Sequence, residues 1–302
     1  MKIGFIGLGV MGSPMAQNLQ RCVDHQLTVF DVEPACCDAV CALGAQRAES
    51  IDAAVSAVDV VMTSLPGPKQ IEAVALGDHG MLAAMRRGAT WIDLSTNSTA
   101  VAARIQQSAA ELGIDILDAP VSGGDEGARA GNLTVLAGGD QAVFDHCLPL
   151  LQIIGDRVTL LGRNGAGYSA KIAQVVLCYL HSLALSEALM LGVRGGVDVQ
   201  QMLAIIQNST GKSYVADRYG PPILNGDYDP SFTLGLAHKD MKLAQDMAAD
   251  LGIRLPLCEL TTDTYARALD SYGFDANHLM AVRLLEEDNN TFLQACGRGT
   301  QQ

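Results

Sequence analysis

The chain has 302 residues, of which 49% are hydrophobic, 18% charged and 5% aromatic, so it can bury a large core and is long enough for two domains. Its formal charge of -13 and its pI near 4.7 argue against binding to nucleic acids or anionic membranes, because both need a basic surface. The eight cysteines are scattered without a paired CxxC arrangement, which indicates neither a metal site nor a disulfide framework and favours reduced thiols in a cytoplasmic protein.

The N-terminal residues predict a strand, a glycine-rich turn and a helix that together bind a dinucleotide. A short buried strand over 2–6 runs into GLGVMG, and a helix follows to about residue 21. A second strand over 27–30 ends in Asp31. A G-x-G-x-x-G sequence alone is a weak signal, but this order of elements is the one that dinucleotide binding requires.

The glycines of this fingerprint have separate physical roles. One permits the tight turn, the second lets the backbone approach the pyrophosphate, and the third lets helix and strand pack closely. Asp31 would accept hydrogen bonds from the ribose hydroxyls and repel a 2′-phosphate, so NAD is favoured over NADP. The predicted cofactor contacts of this region are Gly7, Gly9, Val10, Met11, Gly12 and Asp31.

Further strands alternate with helices, which predicts a mostly parallel, doubly wound α/β sheet. Ligands in such sheets lie at the carboxyl ends of the strands, where Leu65, Pro66 and Thr96 stand. We expect these residues to line the nicotinamide half of the cofactor, although Pro66 could simply terminate its strand and Thr96 could cap the next helix. The predicted strands cover residues 59–65, 90–94, 114–117 and 133–137.

The glycine-rich segment 118–131, DAPVSGGDEGARAG, predicts a carboxylate-binding loop. Ser122, Gly123 and Gly124 would expose successive backbone N–H groups and a hydroxyl, which can hold an anion without a charged side chain. Taken alone, a Ser-Gly-Gly sequence is more often an ordinary turn.

The stretch 162–195 predicts one helix of about 45 Å that is buried and joins two domains. Its apolar runs are short and are interrupted by charged residues, so a membrane span is disfavoured. Lys171 falls in the predicted first turn, where a cation opposes the helix dipole. A solvated lysine and a functional one are both compatible with this placement.

The remainder of the chain is helical in pattern. We predict a dinucleotide-binding domain over 1–162 and an all-helical domain over 163–302, with the long helix at about 165–194 and a frayed end at GRGTQQ. A turn-rich connection over 208–230 contains candidates for the far end of a substrate, although solvated loop residues are the simpler interpretation. These candidates are Ser209, Lys212 and Arg218.

Four motifs occur in the order found in the β-hydroxyacid dehydrogenase family. They are GFIGLGVMGSPMAQNL at the start, DAPVSGG at 118–124, GAGYSAK at 165–171 and AHKDMKLA at 237–244. The chain resembles this family over nearly its whole length and looks most similar to the 3-hydroxyisobutyrate dehydrogenases and tartronate semialdehyde reductases. The resemblance implies a Rossmann domain, a long interdomain helix, a helical C-terminal domain of the 6-phosphogluconate dehydrogenase type, and a homodimer or homotetramer.

The resemblance also implies residue roles. Lys171 matches the catalytic lysine, a general acid/base with a lowered pKa, and the segment 122–124 matches the loop that binds the substrate carboxylate. The implied function is NAD-dependent hydride transfer between nicotinamide and a short β-hydroxy carboxylate, similar to 3-hydroxyisobutyrate, or its semialdehyde. The matched cofactor contacts are Leu65, Pro66, Thr96 and Lys239.

One position departs from the family pattern. The family usually has asparagine three residues after the catalytic lysine, whereas this chain has Gln174 followed by Val175. Gln174 would still share a helix face with Lys171, with its amide about an ångström further out. Two alternatives therefore stay open, a reductase of an unusual small aldehyde or acid selected by Gln174 and a non-catalytic NAD-binding module. A 6-phosphogluconate dehydrogenase relative is disfavoured, because its histidine–asparagine pair is missing after Lys171.

Overall fold

The computed structural model describes residues 1–22 and 26–295, so Cys296 and the predicted frayed end lie outside the described residues. The chain divides into two compact units, Met1–Ile172 and Ala173–Gln302. This division falls inside the long helix, later than the predicted boundary after residue 162. The reason is that the first turn of the helix is hydrogen-bonded to the sheet of the first unit.

The first unit is built on one sheet. Its strands in the described residues are β1 (Lys2–Ile6), β2 (Gln26–Phe30), β3 (Gln46–Arg47), β4 (Val60–Thr63), β5 (Thr90–Asp93), β6 (Asp115–Asp118), β7 (Val121–Ser122), β8 (Thr134–Gly138) and β9 (Arg157–Gly162). They are ordered β3-β2-β1-β4-β5-β6-β8-β7, and β9 pairs with β8. Neighbouring strands are parallel, except that β8 runs antiparallel to β6 and β7. The predicted mostly parallel, doubly wound sheet is therefore confirmed.

The central strands are buried on both faces. Ile3 and Phe5 of β1 pack into one apolar cluster, whereas Ile6 packs into another, because successive side chains point to opposite faces of a sheet. The same division holds on β5, where Ile92 belongs to the first cluster and Trp91 to the second. Burial on both faces explains why these strands are continuous apolar runs rather than alternating sequences.

Helices connect the strands of the first unit. The regular secondary structure in the described part of the second unit is helical. The helices are α1 (Gly12–Arg21), a 3-10 helix (Pro34–Cys37), α2 (Asp38–Cys41), α3 (Ile51–Val55), α4 (Pro68–Leu76), α5 (Met81–Ala84), α6 (Thr99–Leu112), α7 (Gly124–Ala130), α8 (Gln141–Ile154), α9 (Ala166–Arg194), α10 (Val199–Gln207), α11 (Tyr214–Arg218), α12 (Gly220–Asn225), α13 (Leu234–Asp250), α14 (Pro256–Tyr272) and α15 (Met280–Asp288). The predicted long helix and helical C-terminal region are confirmed.

By length and composition alone, α9 could cross a membrane. However, 44% of its most apolar window is buried inside the protein, and core helices of many proteins have the same length and composition. Tyr179 and Leu189 of this helix are 2% and 0% exposed. We therefore keep the interpretation of a core helix.

Candidate active site

The turn between β1 and α1 has the geometry of a phosphate-binding loop. Gly7 has a φ of +91°, and a Cβ added there would lie 2.3 Å from the carbonyl oxygen of Ser64. A Cβ added at Gly12 would lie 1.9 Å from the carbonyl oxygen of Gly7, whereas one at Gly9 would meet no described atom within 4 Å. Gly7 and Gly12 are thus required by the fold, and Gly9 leaves open space through which a ligand can approach the backbone.

The start of α1 leaves only part of its backbone donors available, because the Ser13 N–H donates to the Gly9 carbonyl oxygen (3.0 Å) and Pro14 has no N–H. Among the described residues no side chain caps this helix, and its first turn contains no acidic residue. Gly9 and Val10 are exposed and Met11 is half-buried at this end. Unpaired N–H groups and the positive end of the helix dipole suit a pyrophosphate, so these residues fit the predicted dinucleotide.

Asp31, at the end of β2, is tied to the same loop. Its Oδ2 accepts a hydrogen bond from the Leu8 N–H (2.6 Å), and its Oδ1 accepts one from the Glu33 N–H (2.9 Å). Each carboxylate oxygen has more than one acceptor site, so a ribose hydroxyl can still donate to Asp31. The phosphate-binding loop and Asp31, the predicted ribose contact, are therefore hydrogen-bonded to each other.

Leu65, Pro66 and Thr96 follow the carboxyl ends of β4 and β5, two neighbouring parallel strands. The Leu65 N–H donates to Ser95 Oγ (2.8 Å), while Pro66 is exposed and Thr96 is half-buried. The cap of α6 is Ser98, whose hydroxyl accepts a hydrogen bond from the first turn (3.1 Å). Thr96 is therefore not the helix cap, which leaves its side chain available for a ligand.

The predicted carboxylate-binding segment contains regular structure rather than only a loop. Ser122 ends β7, and Gly124 begins α7. Gly123 and Gly124 have φ values of +136° and +66°, a left-handed conformation that favours glycine. The first N–H groups of α7 have no partner within the helix, which suits an anion. Asp125 in the same turn opposes an anion, and its salt bridge to Arg129 (3.1 Å) partly offsets this repulsion.

Lys171 is half-buried and lies in the second turn of α9. The prediction that it occupies the first turn is wrong, because the helix begins at Ala166. Asp118, the last residue of β6, caps this helix from outside. Its Oδ1 accepts from the Gly165 N–H (2.8 Å) and its Oδ2 from the Tyr168 N–H (3.2 Å).

Asp118 is only 1% exposed. Burial raises the pKa of its carboxyl to about 6, although the hydrogen bonds from the backbone N–H groups of Gly165 and Tyr168 act in the opposite direction. The carboxyl is therefore ionised at neutral pH and protonated in mild acid. A charged cap stabilises the positive end of the helix dipole.

A second buried acid, Asp93, ends β5. Its Oδ1 accepts hydrogen bonds from the hydroxyls of Thr63 (2.8 Å) and Ser95 (2.5 Å), and its Oδ2 accepts one from the Tyr168 hydroxyl (2.6 Å). Burial raises the pKa of the Asp93 carboxyl and that of the Tyr168 phenol, so the phenol keeps its proton and donates. We name the set Asp93, Thr63, Ser95 and Tyr168 the Asp93 network.

Neither buried acid was predicted from the sequence. The sequence signal is the same for both acids, because each is the last residue of a short apolar segment, as in TWID and DILD. A pocket of about 440 Å³ lies between α6 and the start of α9, and its lining includes Asp118, Tyr168 and Asn97. Asp93 and Lys171 are not among its described lining residues, so the pocket borders Asp118 and not the predicted catalytic lysine.

Two predicted site residues belong to the second unit. Gln174 is half-buried and follows Lys171 by one turn of α9. Lys239 lies on α13, and its Nζ is 3.1 Å from Asp240 Oδ1. Asp240 is buried, and its Oδ2 accepts a hydrogen bond from the Tyr179 hydroxyl (3.0 Å). Lys239 is therefore held beside a fixed carboxylate.

The connection over 208–230 contains α11 and α12, and its candidate polar residues have partners nearby. Lys212 Nζ lies 3.5 Å from Asp217 Oδ2, and the Arg218 guanidinium lies 3.8 Å from Asp229 Oδ1. The Ser209 hydroxyl donates to the backbone of α10 (2.6 Å). These residues have partners within their own unit, and solvated loop residues stay the simpler interpretation.

Two family models match consecutive parts of the chain. The model described as the NAD binding domain of 6-phosphogluconate dehydrogenase matches residues 2–162. The model described as NAD-binding of NADP-dependent 3-hydroxyisobutyrate dehydrogenase matches residues 165–285. Together they span nearly all of the described chain.

Individual proteins show the same similarity. The 2-(hydroxymethyl)glutarate dehydrogenase of Eubacterium barkeri is 39% identical over 268 residues, 88% of this chain and 88% of that protein. The 2-hydroxy-3-oxopropionate reductase of Escherichia coli (strain K12) is 35% identical over 286 residues, 95% of this chain and 97% of that protein. A solved structure of Mycobacterium tuberculosis 3-hydroxyisobutyrate dehydrogenase with L-serine has a TM-score of 0.85 and 31% identity, covering 94% of this chain and 98% of that one. The chain therefore belongs to the β-hydroxyacid dehydrogenase family and is an NAD-dependent oxidoreductase.

Proposed function

We propose that the enzyme transfers a hydride between NAD and a short β-hydroxy carboxylate related to 3-hydroxyisobutyrate, or its semialdehyde, with Lys171 as general acid/base. The observation that carries the proposal is that the fingerprint loop, the Ser122–Gly124 turn and Lys171 belong to one compact unit. The fingerprint loop and the residues after β4 and β5 follow the carboxyl ends of parallel strands. This edge is where open α/β sheets bind ligands.

The residues of the first unit would hold the cofactor by its polar groups. The N–H groups at the start of α1 and the open side of Gly9 would receive the pyrophosphate, and Asp31 would accept hydrogen bonds from the ribose hydroxyls. The Asp31 carboxylate would repel a 2′-phosphate, which favours NAD over NADP. Leu65, Pro66 and Thr96 would lie at the nicotinamide half. When bound, NAD accepts or donates the hydride.

Lys171 would move the proton that accompanies the hydride. In the oxidation its neutral amine takes the proton of the substrate hydroxyl, and in the reduction its ammonium donates to the carbonyl oxygen as negative charge develops. This exchange requires a lysine that ionises near the working pH. We predict a lowered pKa for Lys171, since a nearby cationic nicotinamide and an apolar cleft would both disfavour the ammonium.

The substrate class follows from the carboxylate turn and from the names of the relatives. Ser122 and the first N–H groups of α7 would bind one carboxylate. 2-(Hydroxymethyl)glutarate, 2-hydroxy-3-oxopropionate and 3-hydroxyisobutyrate share a carboxylate, one intervening carbon, and a hydroxymethyl or aldehyde carbon. They differ in the substituent of the intervening carbon, so we propose this three-carbon unit as the part that the enzyme recognises.

The test is NADH formation by the purified enzyme with a panel of hydroxy acids. The panel contains 3-hydroxyisobutyrate, glycerate, L-serine and 2-(hydroxymethyl)glutarate, with 4-hydroxybutyrate as the γ-hydroxy comparison. We expect turnover of at least one β-hydroxy acid, and a loss of roughly 10²- to 10⁴-fold in kcat in Lys171→Met with NADH binding retained. Lys2→Met, at an exposed position of β1, is the matched control. Wild-type kcat in Lys171→Met would refute the assigned role.

We also propose that the enzyme is a homodimer or homotetramer in the cytoplasm. The first part is supported by large apolar side chains that α14 and the turn before it expose, among them Leu251, Leu257 and Leu260. The second part is supported by the scattered cysteines, which suit a reducing compartment. Sedimentation equilibrium would measure the oligomer, and a monomer at micromolar concentration would contradict the first part. Cell fractionation would test the second.

A further inference from the structure

The Asp93 network connects three elements around the predicted site. Asp93 ends β5, Thr63 ends β4, and Tyr168 lies in the first turn of α9. Ser95 extends the network, because its hydroxyl donates to Asp93 Oδ1 (2.5 Å) and accepts from the Leu65 N–H (2.8 Å). One buried carboxylate therefore links the start of the Leu65–Pro66 loop to the helix that carries Lys171.

Tyr168 is fixed at both ends of the residue. Its backbone N–H donates to Asp118 Oδ2 (3.2 Å), and its hydroxyl donates to Asp93 Oδ2 (2.6 Å). The side chain is 3% exposed, and Asp93 is 0% exposed. A residue held at the backbone by one strand end and at the side-chain tip by the next cannot rotate about the helix axis without breaking a buried hydrogen bond.

The helical repeat carries this constraint to Lys171. Residues three positions apart lie on nearly the same face of a helix, and Lys171 is the third residue after Tyr168. A small rotation of the helix at Tyr168 would therefore displace the lysine amine, which stands at the end of a long side chain. Misplacement of a reacting group by about an ångström can cost roughly 100-fold in rate.

We propose that Asp93 and Tyr168 are positioning residues that set the direction of Lys171 relative to the Leu65–Pro66 loop. The inference rests on the proposed role of Lys171 as general acid/base. Neither residue needs to contact the substrate for this purpose. The Tyr168 hydroxyl acts by fixing the rotation of α9. Asp93 acts through the hydrogen bonds that it accepts from the hydroxyls of Thr63 and Ser95, at the ends of β4 and β5.

The experiment compares the kinetics of Tyr168→Phe with those of the wild-type enzyme. Tyr168→Phe removes one hydroxyl and leaves the Asp118 cap in place. We expect kcat per NADH-binding site to fall roughly 10- to 100-fold with the KM for NAD unchanged. We also expect the acidic limb of the pH profile for alcohol oxidation to move toward the ordinary pKa of lysine, since a displaced amine is more hydrated. A merely structural role would lower the amount of folded enzyme without moving that limb.

Two further variants keep the result interpretable. Asp93→Asn should lower kcat at least as far as Tyr168→Phe, because it also changes the acceptor of the Thr63 and Ser95 hydroxyls. The double variant should lose no more than the larger single loss, because the Tyr168–Asp93 bond is common to both changes. Tyr272→Phe removes a hydroxyl that donates to Glu287 Oε2 (2.8 Å) on α15 and should leave kcat unchanged. If Asp93→Asn does not fold, Tyr168→Phe decides alone.

The outcomes separate this inference from the proposed function. Wild-type kcat and an unmoved pH limb in Tyr168→Phe, with Lys171→Met inactive, would overturn the positioning role and leave the function of Lys171 intact. Full activity in Lys171→Met would overturn both. A loss in Tyr168→Phe that appears only in the KM for NAD would also overturn the positioning of Lys171.

Discussion

The substitution Gly9→Ala separates cofactor binding from folding. A Cβ added at Gly9 meets no described atom within 4 Å, the residue is exposed, and its φ lies outside the left-handed region. The fold should therefore accept the methyl group, with a gain of about 0.4–1 kcal/mol because alanine loses less backbone freedom than glycine on folding. The same methyl group would stand where the backbone must approach the pyrophosphate.

Gly12→Ala is the matched variant with the opposite effect. Its added Cβ would lie 1.9 Å from the carbonyl oxygen of Gly7 and 3.2 Å from the Ser64 Cβ. The first of these distances is more than an ångström inside an ordinary contact, so α1 must move away from β1. Overpacking of this kind costs about 1–3 kcal/mol or more, and we expect a clear loss of stability.

The assay is thermal unfolding with and without NADH, together with an NADH titration followed by fluorescence. Gly9→Ala should unfold at or slightly above the wild-type temperature and bind NADH at least about 10-fold more weakly, a loss of about 1.4 kcal/mol. Its stabilisation by NADH should shrink accordingly. Wild-type affinity in a folded Gly9→Ala enzyme would refute our placement of the pyrophosphate. Unfolding of Gly9→Ala without ligand would refute the inference that the space beside it is open.

Three other residues give further predictions. Burial raises the pKa of Asp118 from 3.8 to about 6, so the folded state binds this proton more tightly than the unfolded chain does. The free energy of unfolding should therefore fall by about 3 kcal/mol from this group as the pH rises from about 3.8 to above 6. Burial also raises the pKa of Asp93, so denaturant unfolding at both ends of this range should show a fall in both proteins that is smaller in Asp118→Asn, and equal falls would contradict the prediction. Asp31→Ser should weaken NADH binding about 10-fold and reduce the discrimination against NADPH, as measured by paired titrations, since it removes both the ribose acceptor and the charge. Gln174→Asn should raise kcat/KM for 3-hydroxyisobutyrate if the amide serves the substrate, and an unchanged value for every acid of the panel would show that it does not.

Three of the strands that the sequence predicted share one physical property. β1, β4 and β5 are buried on both faces, so each is a continuous apolar run between polar turns. The strands that were missed lack that signal. β3 has two exposed residues, β7 has two residues, and β9 alternates exposed with half-buried positions beside β8. Short or one-sided strands depend on their neighbours for stability, and a single sequence does not show those neighbours.

The prediction for DAPVSGGDEGARAG was a glycine turn at 122–124 that binds a carboxylate, and it included no helix. The structure forms α7 there, with Gly127 and Ala128 buried. A Cβ added at Gly127 would lie 3.1 Å from Leu133 Cδ2, so a larger residue would require the Leu133 side chain to shift. Tertiary contact therefore overrides a local preference in this segment.

The roles of the fingerprint glycines could be predicted because the spacing G-x-G-x-x-G between a strand and a helix indicates them. The contact at Gly12 is with the nearby carbonyl oxygen of Gly7, whereas the contact at Gly7 is with Ser64, which follows β4. The roles of Asp93 and Asp118 could not, because their partners are 75 and 50 residues away in the sequence. An aspartate at the end of an apolar strand is compatible with a solvated turn until its partner is known.

The two acids also explain how a lysine can lie near the start of a helix. The first turn of a helix favours acids and disfavours cations, yet α9 has no acid there. Asp118 supplies the carboxylate from β6, where it accepts the N–H groups of Gly165 and Tyr168. The N–H groups at the N-terminus of α9 therefore have an acceptor, and Lys171 can lie in the second turn of the helix. Since Asp93 holds the Tyr168 side chain at the next strand end, the rigid edge of the sheet both caps the helix and orients it, which is the condition for a lysine on a long helix to act at one fixed point.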